Sequence, residues 1–361
     1  MNGVIERLHT SLQSAWQHKG MLSNLLYPLS LISRAVAEYR RVRISRDPGR
    51  VCIGPVPVIV VGNIYVGGTG KTPVVIALAQ SLRRQGWRPG IISRGYGVRV
   101  GTHPRCGQGS LDAARFGDEP ALIAAATGAP VSVHPRRCLA LGAMIAHYPA
   151  VNVVIADDGL QHHALGRHVE ILVQDARGTG NGRMLPAGPL REPPDRIASV
   201  DLVVTNLGPA DTPPTMPVEP AQMVVMRLTP ASAEHLVSGT TMPWDAWLAK
   251  HGCAPAAAVA AIGNPARYFS MLRESGVTLS ECIALPDHDD YAQPPFSQID
   301  AECILITAKD AVKCRKVRDD RLWVVHAAPR FSDPAWTRRI DERLRALPRS
   351  GAAMAASPPR D

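Results

Sequence analysis

An apolar, β-branched run, Val56-Pro57-Val58-Ile59-Val60-Val61, empties into a glycine-rich turn that ends Gly67-Gly68-Thr69-Gly70-Lys71-Thr72. Apolar positions at helical spacing then continue from Val74 as far as Gly86. Buried strand, glycine loop, Gly-Lys-Thr and helix, in that order, is the context a phosphate-binding P-loop requires. The glycines let backbone N–H groups converge on phosphate oxygens, and the helix N-terminus adds its partial positive charge. Gly67, Gly68, Thr69 and Gly70 are thus expected to cradle a nucleotide's phosphates. Lys71 is expected to reach the β- and γ-phosphates, and Thr72 to offer its hydroxyl to Mg²⁺. The strict pattern has glycine five residues before Gly70, and Tyr65 stands there instead.

A P-loop needs a further acid to hold the metal, at the end of another parallel strand. Val153-Val154-Ile155-Ala156 followed by Asp157-Asp158-Gly159 fits that description. The carboxyl ends of strands are where ligands collect in doubly wound sheets. Taken alone the acids also fit a plain Asp-Gly turn, but beside a P-loop they read as metal ligands. Strand-like runs alternate with helical patterns at 56–61, 90–92, 131–134, 153–156, 169–173, 201–205, 223–226, 257–262, 281–285, 303–307 and 322–326. Such alternation predicts parallel sheets flanked by helices, an α/β fold.

The organisation expected is a basic N-terminal helical segment over 1–50, a P-loop domain over 51–197 and a second domain over 198–330. A last helix over 331–347 is expected to pack back on the first domain, and a tail over 348–361 follows. The join is placed near 195–200, among the Pro-rich stretches 186–194 and 209–220.

Charge is concentrated at the N-terminus. The first 50 residues hold eight Lys/Arg against three acids, which is more than half of the chain's net +9. Such a patch suits anionic lipid, a phosphorylated substrate or nucleic acid. Leu22, Leu25, Leu26, Leu29, Ile32 and Val36 recur at helical spacing, with Ser23, Asn24, Ser30 and Arg34 on the other side, and Ile5, Leu8, Leu12 and Trp16 form an earlier stripe. Neither stretch approaches the roughly 18–20 apolar residues that span a bilayer, Pro28 interrupts the second, and no signal-peptide pattern precedes them. Two readings stay open: a helix packed on the protein's own core, or an interfacial helix followed by the basic run Arg40–Arg46. Aromatic residues at 5% argue against base stacking, so nucleic acid is not expected as a partner. The seven cysteines are odd in number, scattered and never in a CxxC. Neither a disulfide framework nor a zinc finger is expected, and a reducing cytosol is the natural home.

A series of motifs in order, VGNIYVGGTGKTP (61–73), SRGYG (93–97), GDEPALIA (117–124), DDGLQH (157–162), LPAGPLREP (185–193), IGNPARYF (262–269), LPDH (285–288) and TAKDAVK (307–313), resembles the tetraacyldisaccharide 4′-kinase family, the lipid A 4′-kinases of Gram-negative bacteria. Tyr65 falls where that family also lacks the Walker glycine. The resemblance implies two α/β/α domains around a cleft. The larger is a P-loop NTPase-like three-layer domain, and a short two-stranded linker joins it to the smaller. It also implies transfer of the ATP γ-phosphate to the 4′-hydroxyl of tetraacyldisaccharide 1-phosphate. That makes ATP and Mg²⁺ the cofactors, the lipid and an anionic membrane surface the partners, and the cytoplasmic face of the inner membrane the location. The chain is expected to act there as a monomer.

Residue by residue, Asp118 matches the family's general base, although Asp-Glu-Pro-Ala-Leu is on spacing alone a helix N-cap signature. His288 matches the histidine that partners this aspartate from the second domain, so that catalysis requires closure; alone it reads as part of a polar surface loop. Glu192 falls on a family acid near the metal and joins Asp157, Asp158 and Thr72 as a ligand. Gln161 reaches a phosphate or water, and Lys309 and Asp310 border the adenine, with Ala308 where the family usually has Glu. Arg94 engages a substrate phosphate or pairs with an acid, and His162 and His163 read as structural. The alternative is a switch ATPase of the deviant-Walker kind. That class carries a lysine just before the two glycines, where this chain has Val66.

Overall fold

The computed structural model describes residues 16–287, 289–314 and 316–348. Its elements run α1 (Met21–Arg46), β1 (Val58–Gly62), α2 (Lys71–Arg84), β2 (Pro89–Ser93), β3 (Arg105–Gly107), α3 (Ala113–Phe116), α4 (Asp118–Thr127), β4 (Val131–Val133), α5 (Arg137–His147), β5 (Val153–Asp157) and β6 (Val169–Asp175). After β7 (Leu202–Leu207) come β8 (Met223–His235), β9 (Thr241–Pro243), α6 (Trp244–His251), β10 (Ala256–Ala260), α7 (Pro265–Glu274), β11 (Leu279–Ala284), β12 (Ile304–Thr307), α8 (Ala308–Ala311), β13 (Leu322–Phe331) and α9 (Trp336–Arg345).

All the strands belong to one sheet, in the order β11-β10-β12-β13-β8-β7-β6-β1-β5-β2-β4-β3, with β9 on β8. The central strand β1 is fully buried between β5 and β6, as an apolar run flanked by two parallel neighbours must be. Its alternate residues feed opposite cores. Ile59 and Val61 pack with Val74, Leu78 and Ile155 on one face, and Val58 and Val60 with Leu141, Met144 and Leu172 on the other. The layers are therefore helix, sheet and helix, and the expected α/β class holds.

A second parallel set, β11, β10, β12 and β13, has its own pair of cores around the alanine-rich β10. What joins the two sets is an antiparallel ribbon. The start of β8, Met223–Arg227, runs parallel to β7, whereas Met226–His235 pair antiparallel with Trp323–Phe331 of β13.

Four details depart from expectation. β7 was expected beyond the domain join, but it pairs with β6 and lies in the P-loop half, so the crossing falls in β8 rather than near 195–200. β3 and β9 extend the sheet beyond the runs legible in sequence. Cys52 and Cys138 form a disulfide that ties the segment before β1 to the first turn of α5.

The fourth is α1. Its serine side faces the protein: Ser23 and Ser30 are 1% and 3% exposed, and the Ser23 hydroxyl donates to the Ala187 carbonyl at 2.6 Å. Leu25 and Ile32 stand 77% and 61% exposed. The leucine stripe does not pack on the protein's own core. The earlier stripe at Ile5, Leu8 and Leu12 lies outside the described residues, as does the tail beyond residue 348.

The last helix does return to the P-loop half. Trp336, Ile340 and Leu344 of α9 are buried against the α2 side of the sheet, where Ser81 Oγ donates to Thr337 Oγ1 at 2.9 Å and Trp87 Nε1 to Asp341 Oδ1 at 2.7 Å.

Candidate active site

The P-loop leaves β1 and enters α2 through backbone that only glycine adopts freely. Gly67 has φ of 98° and Gly70, the residue preceding α2, has φ of 91°. Two asparagines hold the turn open. Asn63 Nδ2 donates to the carbonyls of Tyr65 at 2.7 Å and Gly67 at 3.1 Å, and to Thr69 Oγ1 at 3.2 Å. From the end of β7, Asn206 Nδ2 donates to the Thr69 carbonyl at 3.1 Å, and a side chain on Gly70 would collide with it. Tyr65 lies under the Arg177 guanidinium, which sits 4.3 Å from its ring centroid and donates to the Gly68 carbonyl at 3.1 Å. The tyrosine in place of glycine is thus part of the wall that carries the loop.

Lys71 begins α2 and places Nζ 3.4 Å from Asp158 Oδ1. Arg191 from the Leu-Arg-Glu-Pro segment meets the other oxygen of Asp158 at 3.3 Å. Burial works to raise the Asp158 carboxyl, but Lys71 and Arg191 outweigh it and hold the group below the usual carboxylate range. Asp158 also has φ of 51°, a left-handed conformation uncommon for a residue with a side chain.

Asp157, one residue earlier at the end of β5, is 1% exposed. Ser93 Oγ donates to its Oδ2 at 3.0 Å, while Oδ1 is buried with no hydrogen-bond partner. Burial, helped by the charge of Glu119, pushes this carboxyl up to about 7 against the pull of Lys71. A buried acid with one unpartnered oxygen beside a P-loop fits a divalent cation. Arg137, 2% exposed, supports both acids from behind by donating to the Asp157 and Asp158 carbonyls.

Asp118 opens α4, yet it is not the helix cap. That place belongs to Gly117, with φ of 93° and a side-chain position that would meet the Tyr96 carbonyl at 2.9 Å. The Asp118 carboxylate instead meets Lys313 Nζ at 2.9 Å, across from the second half of the sheet. Its neighbour Glu119 lies 3.9 Å from Lys309 Nζ, which also binds Asp287 Oδ1 at 3.2 Å. The N-terminus of α4 therefore stands between the lysines that follow β12 and the acids at the end of β5.

A family model for tetraacyldisaccharide-1-P 4′-kinase matches residues 22–345. The chain belongs to this family. It is 52% identical over 336 residues to the tetraacyldisaccharide 4′-kinase of Bordetella petrii, covering 92% of this chain and 95% of that one. To the kinase of the same name from Herminiimonas arsenicoxydans it is 43% identical over 345 residues, 91% of this chain and 94% of that one. Among solved structures it matches the "apo" form of LpxK from Aquifex aeolicus in complex with ATP, with a TM-score of 0.73 and 27% identity over 90% of this chain and 99% of that one. The P-loop kinase fold and the family expected from the motifs are borne out, and these matches do not favour the switch ATPase.

In this family member the structure gathers Gly67, Gly68, Thr69, Gly70, Lys71, Thr72, Asp157 and Asp158 at one end of the sheet, with Asp118 paired to Lys313 of the second parallel set. Glu192 is not gathered with them. It is 4% exposed, accepting from Gln161 Nε2 at 2.6 Å and from Arg196 Nε at 3.2 Å. Among the described residues no three or more His, Cys, Asp or Glu stand close enough together to hold a metal. Gln161 also donates to the Asn63 carbonyl at 3.0 Å, and so braces the start of the P-loop.

Asp310, expected to border the adenine, does not stand at an open surface. It is fully buried, with its carboxylate on Thr307 Oγ1 at 2.6 Å and on the Ala261 N–H at 3.3 Å, so it shapes the second half instead of bordering a base. His162 and His163 are kept neutral near pH 7, the first pushed down to about 4 by burial with Arg137 adding to it. His288 lies outside the described residues; its chain neighbours Asp287 and Asp289 bond Lys309 and Lys313. Asn63, Asn206, Glu119, Arg137, Arg191 and Lys313 escaped the sequence reading. Each acts on a partner distant in sequence or on backbone, which spacing does not reveal.

Proposed function

We infer that this kinase transfers the γ-phosphate of ATP to the 4′-hydroxyl of tetraacyldisaccharide 1-phosphate. The observation that carries the reading is the Lys71–Asp158 pair at 3.4 Å beside the unpartnered buried oxygen of Asp157. A lysine parked on an acid at a P-loop is poised to exchange that acid for phosphate oxygens when nucleotide enters. Arg191 remains to hold Asp158 when Lys71 leaves. The Thr72 hydroxyl with Asp157 and Asp158 would hold Mg²⁺, which supplies neutralisation of phosphate charge. Two carboxylates and a hydroxyl suffice for an ion that keeps several waters and shares substrate oxygens.

Asp118 takes the proton of the 4′-hydroxyl as that oxygen bonds to phosphorus and the bond to the ADP oxygen breaks. His288 is its partner in this reading. The leucine-out orientation of α1 favours the interfacial alternative. Leu25, Leu29, Ile32 and Val36 are exposed, as are Arg40, Arg41, Arg43 and Arg46 at its end, a pairing that suits an anionic membrane surface. No helix among the described residues is long and apolar enough to cross a membrane. Contact with the cytoplasmic face, where ATP is supplied, follows from the chemistry.

The test is transfer of γ-³²P from Mg-ATP to tetraacyldisaccharide 1-phosphate in detergent micelles, wild type against Asp118→Ala. Labelled lipid, with a loss of at least about a hundredfold in the variant, is expected from removal of a general base. No labelled lipid from folded wild-type protein that hydrolyses ATP would overturn the reading. Full activity in the variant would remove Asp118 from it.

A further inference from the structure

We propose that Arg177 is a positioning residue for the nucleotide's phosphates, turning the Thr69 N–H toward them by holding the Gly68 carbonyl away. The inference rests on the reading of the P-loop as the ATP site. Three successive carbonyls of that loop are each gripped by a side chain from a different strand end. Asn63, which follows β1, donates to the Gly67 carbonyl, Arg177, which follows β6, to the Gly68 carbonyl, and Asn206, near the end of β7, to the Thr69 carbonyl, each at 3.1 Å. The three strands are neighbours in the sheet. A trans peptide is planar, with its C=O and the next residue's N–H on opposite sides, and the only cis bond among the described residues is Leu185–Pro186. Holding these three oxygens therefore turns the N–H groups of Gly68, Thr69 and Gly70 away from the grips, as a nest for anionic oxygens requires.

The middle peptide depends most on its grip. Gly68 has no Cβ to resist rotation of the Gly68–Thr69 peptide, and Gly67 before it stands at φ of 98°. Arg177 can hold that peptide because its own guanidinium is fixed along another edge. Nε donates to the two oxygens of Asp175 at 3.0 and 3.1 Å, and Nη2 to Oδ2 at 2.7 Å. Asp175 is 1% exposed, and Arg267 of α7 approaches the same Oδ2 at 3.8 Å. A buried carboxylate requires such cationic partners, and in return it anchors the fork of Arg177. A planar guanidinium bound on one edge has its remaining N–H directions fixed, and here one of them meets Gly68. The same arrangement gives Tyr65 its use. Where the Walker glycine would leave a gap, its ring is the surface over which the guanidinium lies, 4.3 Å from the centroid.

The experiment measures binding of ATP, inorganic tripolyphosphate and adenosine in Mg²⁺ buffer, by displacement of a fluorescent ADP analogue from wild type, Arg177→Met and Arg177→Lys. Losing the alignment of one donor to a charged group should weaken ATP and tripolyphosphate by about tenfold in Arg177→Met, and leave adenosine within about twofold. Arg177→Lys should recover part of the loss, since an ammonium can reach the carbonyl but cannot also fork on Asp175. In the lipid-phosphorylation assay the KM for ATP should rise by the same factor and the KM for lipid stay within about threefold. The kcat should fall less than the KM for ATP rises, as for binding shared by ground and transition states. In protein carrying ¹⁵N-threonine, the Thr69 amide signal, assigned by its loss in Thr69→Ser, should shift with saturating ADP in wild type and not in Arg177→Met. An unchanged affinity for ATP in Arg177→Met overturns the proposal while leaving the ATP site intact. So does a loss that adenosine shares in full, or a Thr69 signal that still shifts as in wild type. Wild-type protein that binds none of the three ligands overturns the nucleotide reading itself. If Arg177→Met melts early because Asp175 is left buried, Arg177→Met combined with Asp175→Asn decides on the same criteria.

Discussion

At the scale of single residues, the P-loop depends on what glycine lacks. Gly70 has φ of 91° with the Asn206 amide against it, so a methyl group there meets both backbone strain and a collision. The left-handed conformation alone costs a residue with a side chain about 1–2 kcal/mol. Gly70→Ala is therefore expected to weaken ATP binding by about tenfold or more, because the loop can relieve the clash only by rotating its N–H groups off the phosphates. Titration with a fluorescent nucleotide checks this, and an unchanged Kd would show that Asn206 gives way instead. The glycines, Lys71 and the two acids were legible in the sequence because each works within a few residues of its own strand end. Lys313 and Arg137 were not, since a lysine that binds a distant carboxylate and an arginine that supports two carbonyls look in sequence like any other charge. Glu192 was misplaced for the converse reason. Its position beside Arg191 was legible, but not the Gln161 and Arg196 that occupy its oxygens.

At the scale of elements, α1 shows how periodicity can name a helix and still leave its orientation open. Hydrophobic spacing marked the stripe, and the ordinary expectation turns such a stripe inward. Here the inward positions are Ser23 and Ser30, whose hydroxyls and small volume suit close approach to the loop around Asn181 and Ala187. Replacing Leu25 and Ile32 with aspartate should leave the melting temperature unchanged, because neither side chain is packed. It should reduce partitioning onto anionic vesicles by at least about a hundredfold, given about 1.5–3 kcal/mol for each large aliphatic side chain removed from water. Vesicle co-sedimentation reads the effect directly. Retained binding would transfer the membrane contact to another surface. Strands β8 and β13 were legible only in part. Their first residues are apolar runs, but their extensions carry Pro230, Ser232 and His326, and only a distant antiparallel partner makes strands of them.

At the scale of the whole molecule, the two halves meet where chemistry is expected. An ideal Cβ on Gly263, which follows β10, would stand 3.0 Å from the Gly68 nitrogen and 3.2 Å from its Cα. Both atoms are backbone, so neither can swing aside. Gly263→Val should hold the second half off the P-loop and lower kcat by about ten- to a hundredfold, with little change in melting temperature because both cores are untouched. A variant with wild-type kcat would mean that this approach is not needed for turnover.

The ribbon of β8 and β13 gives that approach a particular character. A hydrogen-bonded ladder of two strands resists stretching and sideways slip, and the softest motion left to it is bending out of its own plane. The second half is thus carried as if on a leaf spring, with one compliant direction and several stiff ones. Opening of such a molecule is described by a single angle, and one pair of spin labels, placed on either side, would follow its entire working stroke.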